Sequence, residues 1–334
     1  MHSSTQKWML VLPPEGAARQ VGEKTWEALA DLIPSERRKL FDTKPYLDGF
    51  DKLLKNPTDD MVVDLMNQAL IVQCLDFSVT HLLVIALSPL TRFTVDLLRR
   101  SGICTLHWFI EDFRVVQYWK AVLPAYDHFF AIQRGPLPLA CESTGTVFHY
   151  LPTAFILPPQ AKVKSWEERN EVVAFIGFPS VYRIEVLELL HREKIPLKIA
   201  GAGWEKYRGP LEGRFEGTVW FGPEDAYKLL SHAKVGLHLP SEDPRKDRDN
   251  DHISPRVFDI LAAGCLLLTE QAPLIDETLS GIAISSFQGP QQVVQKAREV
   301  MMEPYARNIQ DQNRAVVLTQ HTFKARLEKI QAAL

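Results

Sequence analysis

Ser254-Pro-Arg-Val-Phe-Asp-Ile-Leu-Ala-Ala-Gly-Cys-Leu-Leu-Leu-Thr-Glu270 decides how this chain folds. Ser254 suits an N-cap, and Pro255 suits a first helical turn, where its missing N–H costs nothing. Phe258, Leu261 and Ala262 then fall on one helical face. Gly264 stops the helix, and Cys265 to Thr269 reads as a buried strand. The stretch is therefore a helix from Arg256 to Ala263 running into a strand, the second half of a βαβ unit. The helix start carries Arg256 and Asp259, a cation and a carboxylate placed to hold an anion and hydroxyl groups.

On both sides of this stretch, strands and helices alternate. Before the quoted stretch, Val172–Ile176, Leu197–Ala200, Thr218–Phe221 and Val235–Leu239 read as strands. Helices over about 181–193 and Pro223–Ala233 lie between them, with Gln291–Met302 and His321–Leu334 following. Nearer the N-terminus, Trp8–Leu12, His81–Ala86, Ile103–Ile110, Phe129–Ile132 and Val147–Tyr150 are strand candidates. Their helices are expected over about 22–32, Asp59–Cys74 and Thr91–Arg100. This alternation predicts mostly parallel sheets covered on both faces, an α/β chain. The proline-rich Leu151-Pro-Thr-Ala-Phe-Ile-Leu-Pro-Pro stretch and the charged residues after it mark a linker. The expected domains are 1–155 and 160–305, with 306–334 as a terminal helical segment.

With 334 residues, 46% hydrophobic and 24% charged, the chain has material for two soluble domains. A net charge of −3 gives no electrostatic case for nucleic-acid binding. Cys74, Cys104, Cys141 and Cys265 stand far apart in apolar contexts, which favours buried thiols over disulfides or zinc. No apolar run reaches membrane-spanning length, and the N-terminus has no signal-like core, so a cytoplasmic protein is expected. GxGxxG, Walker A, HExxH and GxSxG patterns are missing, leaving dinucleotide, P-loop, zinc-protease and serine-hydrolase chemistry without support. Asp247, Asp249 and Asp251 match the start of a calcium loop, but His252 and Phe258 occupy positions needing Gly and Glu. The Ser241–His252 loop is either an ordering flap or a solvated loop.

Arg256-Val-Phe-Asp-Ile-Leu-Ala-Ala-Gly264 and its strand resemble the nucleotide-sugar-binding segment of GT-B glycosyltransferases. The nearest resemblance is to family 1 members related to the spore maturation protein CgeB. Such enzymes carry two acids bracketing this helix, the second holding the ribose; Asp251 and Asp259 occupy those positions, both shortened from Glu. Gly177-Phe-Pro-Ser-Val-Tyr-Arg183 and Ile199-Ala-Gly-Ala-Gly-Trp204 resemble the strand ends where diphosphate, sugar and base lie. Trp108-Phe-Ile-Glu-Asp112 resembles an acidic stretch of the first domain, and His321-Thr-Phe-Lys-Ala-Arg326 the terminal helix.

The resemblance implies two facing Rossmann-like domains with a last helix crossing back to the first. It implies a hexosyltransferase type of enzyme using a nucleotide-sugar co-substrate, with neither cofactor nor essential metal. Donor contacts would come from Gly177, Arg183, Gly201, Gly203, Trp204, Ser241, His252, Ser254, Arg256 and Asp259. Arg256 would stabilise the leaving diphosphate, and Glu111 or Asp112 would serve as base in an inverting reaction. Other accounts stand beside these roles. The glycines could simply make tight turns, Arg256 could pair with Asp259 or Asp251, and Asp112 could cap a helix. The acceptor (protein, glycan or small molecule) is unread, a homodimer fits either way, and a GT-B-like binding module without catalysis is the rival class.

Overall fold

The apolar runs become two parallel sheets, each belonging to its own unit of chain. The computed structural model describes residues 6–55, 58–158, 160–219, 221–246, 251 and 253–334. Asp247, Asp249 and His252, including one expected donor contact, lie outside the described residues. One unit comprises Met1–Thr153 with Arg326–Leu334, and the other Ala154–Ala325.

In the first unit the elements run β1 (Trp8–Leu12), α1 (Gly16–Leu29), β2 (Arg38–Asp42), α2 (Thr43–Leu53), α3 (Asp59–Phe77), β3 (His81–Ile85), α4 (Arg92–Arg100) and β4 (Cys104–Phe109). They continue with α5 (Trp119–Val122), β5 (His128–Ala131), α6 (Leu137–Thr144) and β6 (Val147–Tyr150). The sheet order is β2-β1-β3-β4-β5-β6, all pairs parallel. One face is packed by Met66, Leu70 and Cys74 of α3 and by Val95 and Leu98 of α4.

α1 begins at Gly16, six residues before its expected start near Gly22. Gly22 lies inside the helix, where a Cβ would stand 2.4 Å from Leu12 Cδ2, so its bare backbone lets α1 rest on the sheet. Strand β2 gave no sequence signal, since Arg38-Lys-Leu-Phe-Asp42 lies at the sheet edge and buries only Phe41.

The second unit contains β7 (Asn170–Ile176), α7 (Val181–Arg192), β8 (Leu197–Ala200), β9 (Phe215–Gly217), α8 (Pro223–Ser231) and β10 (Ala233–His238). After these come α9 (Arg256–Ala262), β11 (Leu266–Glu270), α10 (Ile275–Thr278), β12 (Ser285–Phe287), α11 (Pro290–Met301) and α12 (Ala306–Gln320). Its parallel sheet has the order β12-β11-β10-β7-β8-β9. The chain lays strands outward from β7 to β9, then returns to the other side of β7. This Rossmann-type reversal places a crevice between the carboxyl ends of β7 and β10.

The expected strand over 218–221 is instead β9 at Phe215–Gly217, where Phe215 can reach the Trp204 and Tyr207 rings. The last helix, α13 (Phe323–Ala332), spans the boundary at which the chain rejoins the first unit. Only Arg326–Leu334 returns, whereas the whole of 306–334 was expected to; α12 packs on α9 and β11. Arg326 is fully buried and its Nε donates to Thr153 O at 2.9 Å, which joins the outgoing and returning chains there.

Candidate functional site

At the switch point the expected glycines pack one loop on another. Gly201 has φ +137°, and a Cβ on it would lie 2.4 Å from the carbonyl oxygen of Gly177. Gly203 has φ +94° and would meet Pro179 Cδ at 2.9 Å. Trp204 is buried, and its indole N–H donates to Gly177 O at 2.7 Å. The β7 and β8 loops are thus locked together through bare backbone. Trp204 is a core side chain here, with no face open for a nucleotide base.

Arg183 also departs from its expected role. Its guanidinium is buried and donates to three carbonyls: Phe178 O at 3.0 Å, Leu239 O at 2.9 Å and Pro240 O at 3.0 Å. The ring of Phe178 lies 4.6 Å from it. Burial lowers its pKa to about 10. Arg183 therefore ties together the two loops flanking the crevice, with one donor on each of its three nitrogens bound to backbone and the group buried rather than offered to a diphosphate. Replacing it with lysine, whose three donors sit on one nitrogen and cannot span the positions reached by the three guanidinium nitrogens, should loosen both loops. Faster amide exchange over 177–180 and 239–241 is the expected observation; unchanged exchange would remove this role.

α9 presents Arg256 at its first residue, and its seven residues make about two turns. Ser254 Oγ accepts from Arg256 N–H at 3.3 Å, but the cap position itself falls on Pro255, one residue later than expected, because Pro255 already has helical dihedral angles. Gly264, at φ +83°, closes the C-terminal end. Two buried or half-buried arginines hold that end: Arg169 Nη2 on Ala263 O at 2.6 Å and Arg314 Nε on Ala262 O at 3.1 Å. Nothing in the sequence near α9 announced these partners, which come from 87 or more residues upstream and from α12.

Arg256 keeps about a quarter of its side chain exposed and pairs with Asp259 at 3.1 Å, the alternative recognised in the sequence. The other Asp259 oxygen accepts from Ile156 N–H at 3.0 Å. Burial raises the Asp259 pKa, and Arg256 opposes that rise. Asp251 is buried, and Ser241 stands half-buried three residues after β10.

In the first unit Glu111 and Asp112 lie just past β4, where regular alternation no longer governs them. Asp112 accepts from Arg114 N at 2.9 Å and pairs with its guanidinium at 2.5 Å, which makes a turn-forming ion pair in place of a base or a helix cap. Glu111 is half-buried, and burial together with the Asp112 charge raises its pKa. Close by, the Tyr118 hydroxyl accepts from Leu87 N–H at 2.9 Å and contacts His107 Nε2 at 3.1 Å. Leu87 has φ +63°, a left-handed conformation uncommon for leucine. Of the two acids, Glu111 is the one whose environment suits proton transfer.

Sequence reasoning passed over Glu270, the last residue of β11. Its buried carboxylate accepts from the Tyr182 hydroxyl and, at 2.8 Å, from Gly289 N–H. Arg245 lies over the Tyr182 ring and bridges Glu185 and Asp243. A polar recess opens beside them, lined by Pro244, Arg245, Gln271, Asp276 and Gln288. An acid closing a strand is a signal that was present in the sequence but ordinary in kind. Among the described residues, no three His, Cys, Asp or Glu side chains converge as metal ligands.

Two parallel six-stranded sheets of these orders, flanked by helices, are the GT-B architecture. Residues 183–332, which include α9, match the model of the family described as glycosyl transferase-like. No curated protein matches the sequence. Among solved structures, sucrose-phosphate synthase of Thermosynechococcus elongatus is 12% identical, with 98% of each chain covered and a TM-score of 0.64. HepE of Anabaena, solved with UDP-glucose, is 10% identical over 98% of this chain and 100% of its own, with a TM-score of 0.63. A glycosyltransferase of Rickettsia africae is 12% identical, with 98% of both chains covered and a TM-score of 0.64. Among the described residues, no helix is long and apolar enough to cross a membrane.

Proposed function

We propose that this chain is a glycosyltransferase that moves a hexose from a nucleotide-sugar to a hydroxyl-bearing acceptor. The donor is bound by the second unit and no metal is required. The observation that carries the reading is Arg256. It is a part-exposed cation on the segment matched by the glycosyl transferase-like family, at the sheet edge where open α/β folds take ligands. A guanidinium there can hold a diphosphate through paired hydrogen bonds and offset charge on the leaving nucleotide. Gly177, Gly201 and Gly203 contribute the close-packed loop floor, and Ser241 and Ser254 its hydroxyls. HepE, with a similar fold, is described as binding UDP-glucose, which makes a UDP-sugar the first donor to try. The relation to CgeB-like enzymes and action in the reducing cytoplasm belong to the same reading, the latter suited to four free cysteines.

UDP, GDP, ADP, CDP and dTDP should be compared by thermal shift; a ligand at a hundred times its Kd adds about 2.7 kcal/mol. No response to any of them would count against donor binding. Arg256→Ala should weaken the best nucleotide about 10- to 100-fold, the span of a lost charge-assisted hydrogen bond, with the fold intact. Calorimetric titration reads this directly, and equal affinities would mean the donor site lies elsewhere.

The rival reading, nucleotide binding without transfer, is favoured by the commitment of Asp112 to Arg114, which leaves Glu111 as the remaining base of the pair. Slow hydrolysis of nucleotide-sugar in EDTA, lost in Glu111→Gln, would support an inverting, metal-independent transferase. Tight binding with neither hydrolysis nor transfer to cell extract would support the binding module.

A further inference from the structure

We infer that Asp259 is a positioning residue that ties the donor-side helix to the incoming chain, and that it does not select for ribose. The inference rests on the donor reading above and assigns this carboxylate a different role from the ribose contact implied by resemblance. Three observations carry it. Each Asp259 oxygen already has a partner: Ile156 N–H on Oδ1 at 3.0 Å and Arg256 Nη1 on Oδ2 at 3.1 Å. The crevice that Asp259 lines with Ile156, Leu157, Ala226 and Tyr227 has a volume of about 10 Å³, too small to admit a ribose ring. The preceding residue, Phe258, stacks on His321 at 5.0 Å, so α9 is also fastened to the chain just before α13.

Ile156 lies three residues beyond Thr153, and His321 five before Arg326, the two residues that bound the first unit's share of the chain. α9 therefore touches both segments close to where the chain changes units, once through a charge-assisted hydrogen bond and once through a ring stack. Asp259 sets the Arg256 guanidinium with one oxygen and the course of the linker with the other.

The test combines amide exchange at Ile156 with binding of UDP and 2′-deoxy-UDP to the whole chain. Asp259→Ala should speed exchange at Ile156 about tenfold. It should weaken both nucleotides by the same factor, because it releases Arg256 rather than a ribose contact. Asp259→Asn retains an oxygen for Ile156, so exchange there should stay slow, and the UDP to deoxy-UDP affinity ratio should equal that of the parent. A selective loss of UDP affinity in either variant would overturn the inference and restore the ribose contact. Unchanged Ile156 exchange in Asp259→Ala would also overturn it. Should the parent bind neither nucleotide, the donor reading fails, while the exchange measurement still decides whether Asp259 holds the linker.

Discussion

Gly201→Ala is expected to destabilise the second unit by about 3 kcal/mol or more, the largest single-methyl effect on this sheet edge. Two penalties add. The backbone at Gly201 has φ +137°, a region that L side chains rarely adopt, and its new Cβ would stand 2.4 Å from Gly177 O and 2.7 Å from Gly177 C. Those atoms are main chain and cannot swing aside. Relief requires the β7 and β8 loops to separate, which would pull the Gly177 carbonyl from the Trp204 indole. Gly213→Ala separates the two terms, since Gly213 has φ +82° with nothing within 4 Å of its Cβ. It should cost only the left-handed penalty, about 1–2 kcal/mol. Urea unfolding, with amide exchange over the β7–β8 loops to localise the change, checks both. Equal losses at the two positions would mean that the loop contact contributes nothing.

That comparison also shows how far the sequence could be read. Gly177, Gly201 and Gly203 were visible as strand-end glycines, and the turns formed where expected. What the glycines approach was not visible, because their neighbours are carbonyls and a proline from another loop. The same holds for Arg183: an arginine soon after a strand-end glycine reads as an anion binder, yet its donors serve Phe178, Leu239 and Pro240. Two of those carbonyls lie more than 50 residues away, beyond the reach of any local pattern. Element type was most legible where burial is two-sided. Strands β1 and β8, each paired on both sides, match their expected spans, whereas the edge strands β2 and β12 left no continuous apolar run. At α9 the helix and its Gly264 stop were both readable, being local. The arginines that hold its far end were not.

Protonation of the first unit should be the other large effect, and its sign follows from His107. This imidazole is buried among Phe109, Tyr118, Tyr126 and Phe129, and burial lowers its pKa to about 3. In the unfolded chain it titrates near 6.5, so below that pH the unfolded state takes up a proton that the folded state refuses. The stability due to neutral His107 is complete above about pH 6.5 and declines by about 1.4 kcal/mol per unit as pH falls toward 3. At pH 4.5 the loss should reach about 3 kcal/mol. Burial also lowers the pKa values of His81, His128 and His149, so the parent should be steeper in acid than His107 alone requires. His107→Phe removes one proton site and keeps the ring packing. Urea midpoints at pH 7.5, where the variant loses its Tyr118 contact, and at pH 4.5, where it no longer pays the proton penalty, should converge or cross. Tyr118→Phe breaks the same contact but retains the imidazole, so its acid slope should follow that of the parent. Parallel slopes in the parent and His107→Phe would show that His107 takes up its proton in the folded state, and the buried neutral imidazole would have to be abandoned.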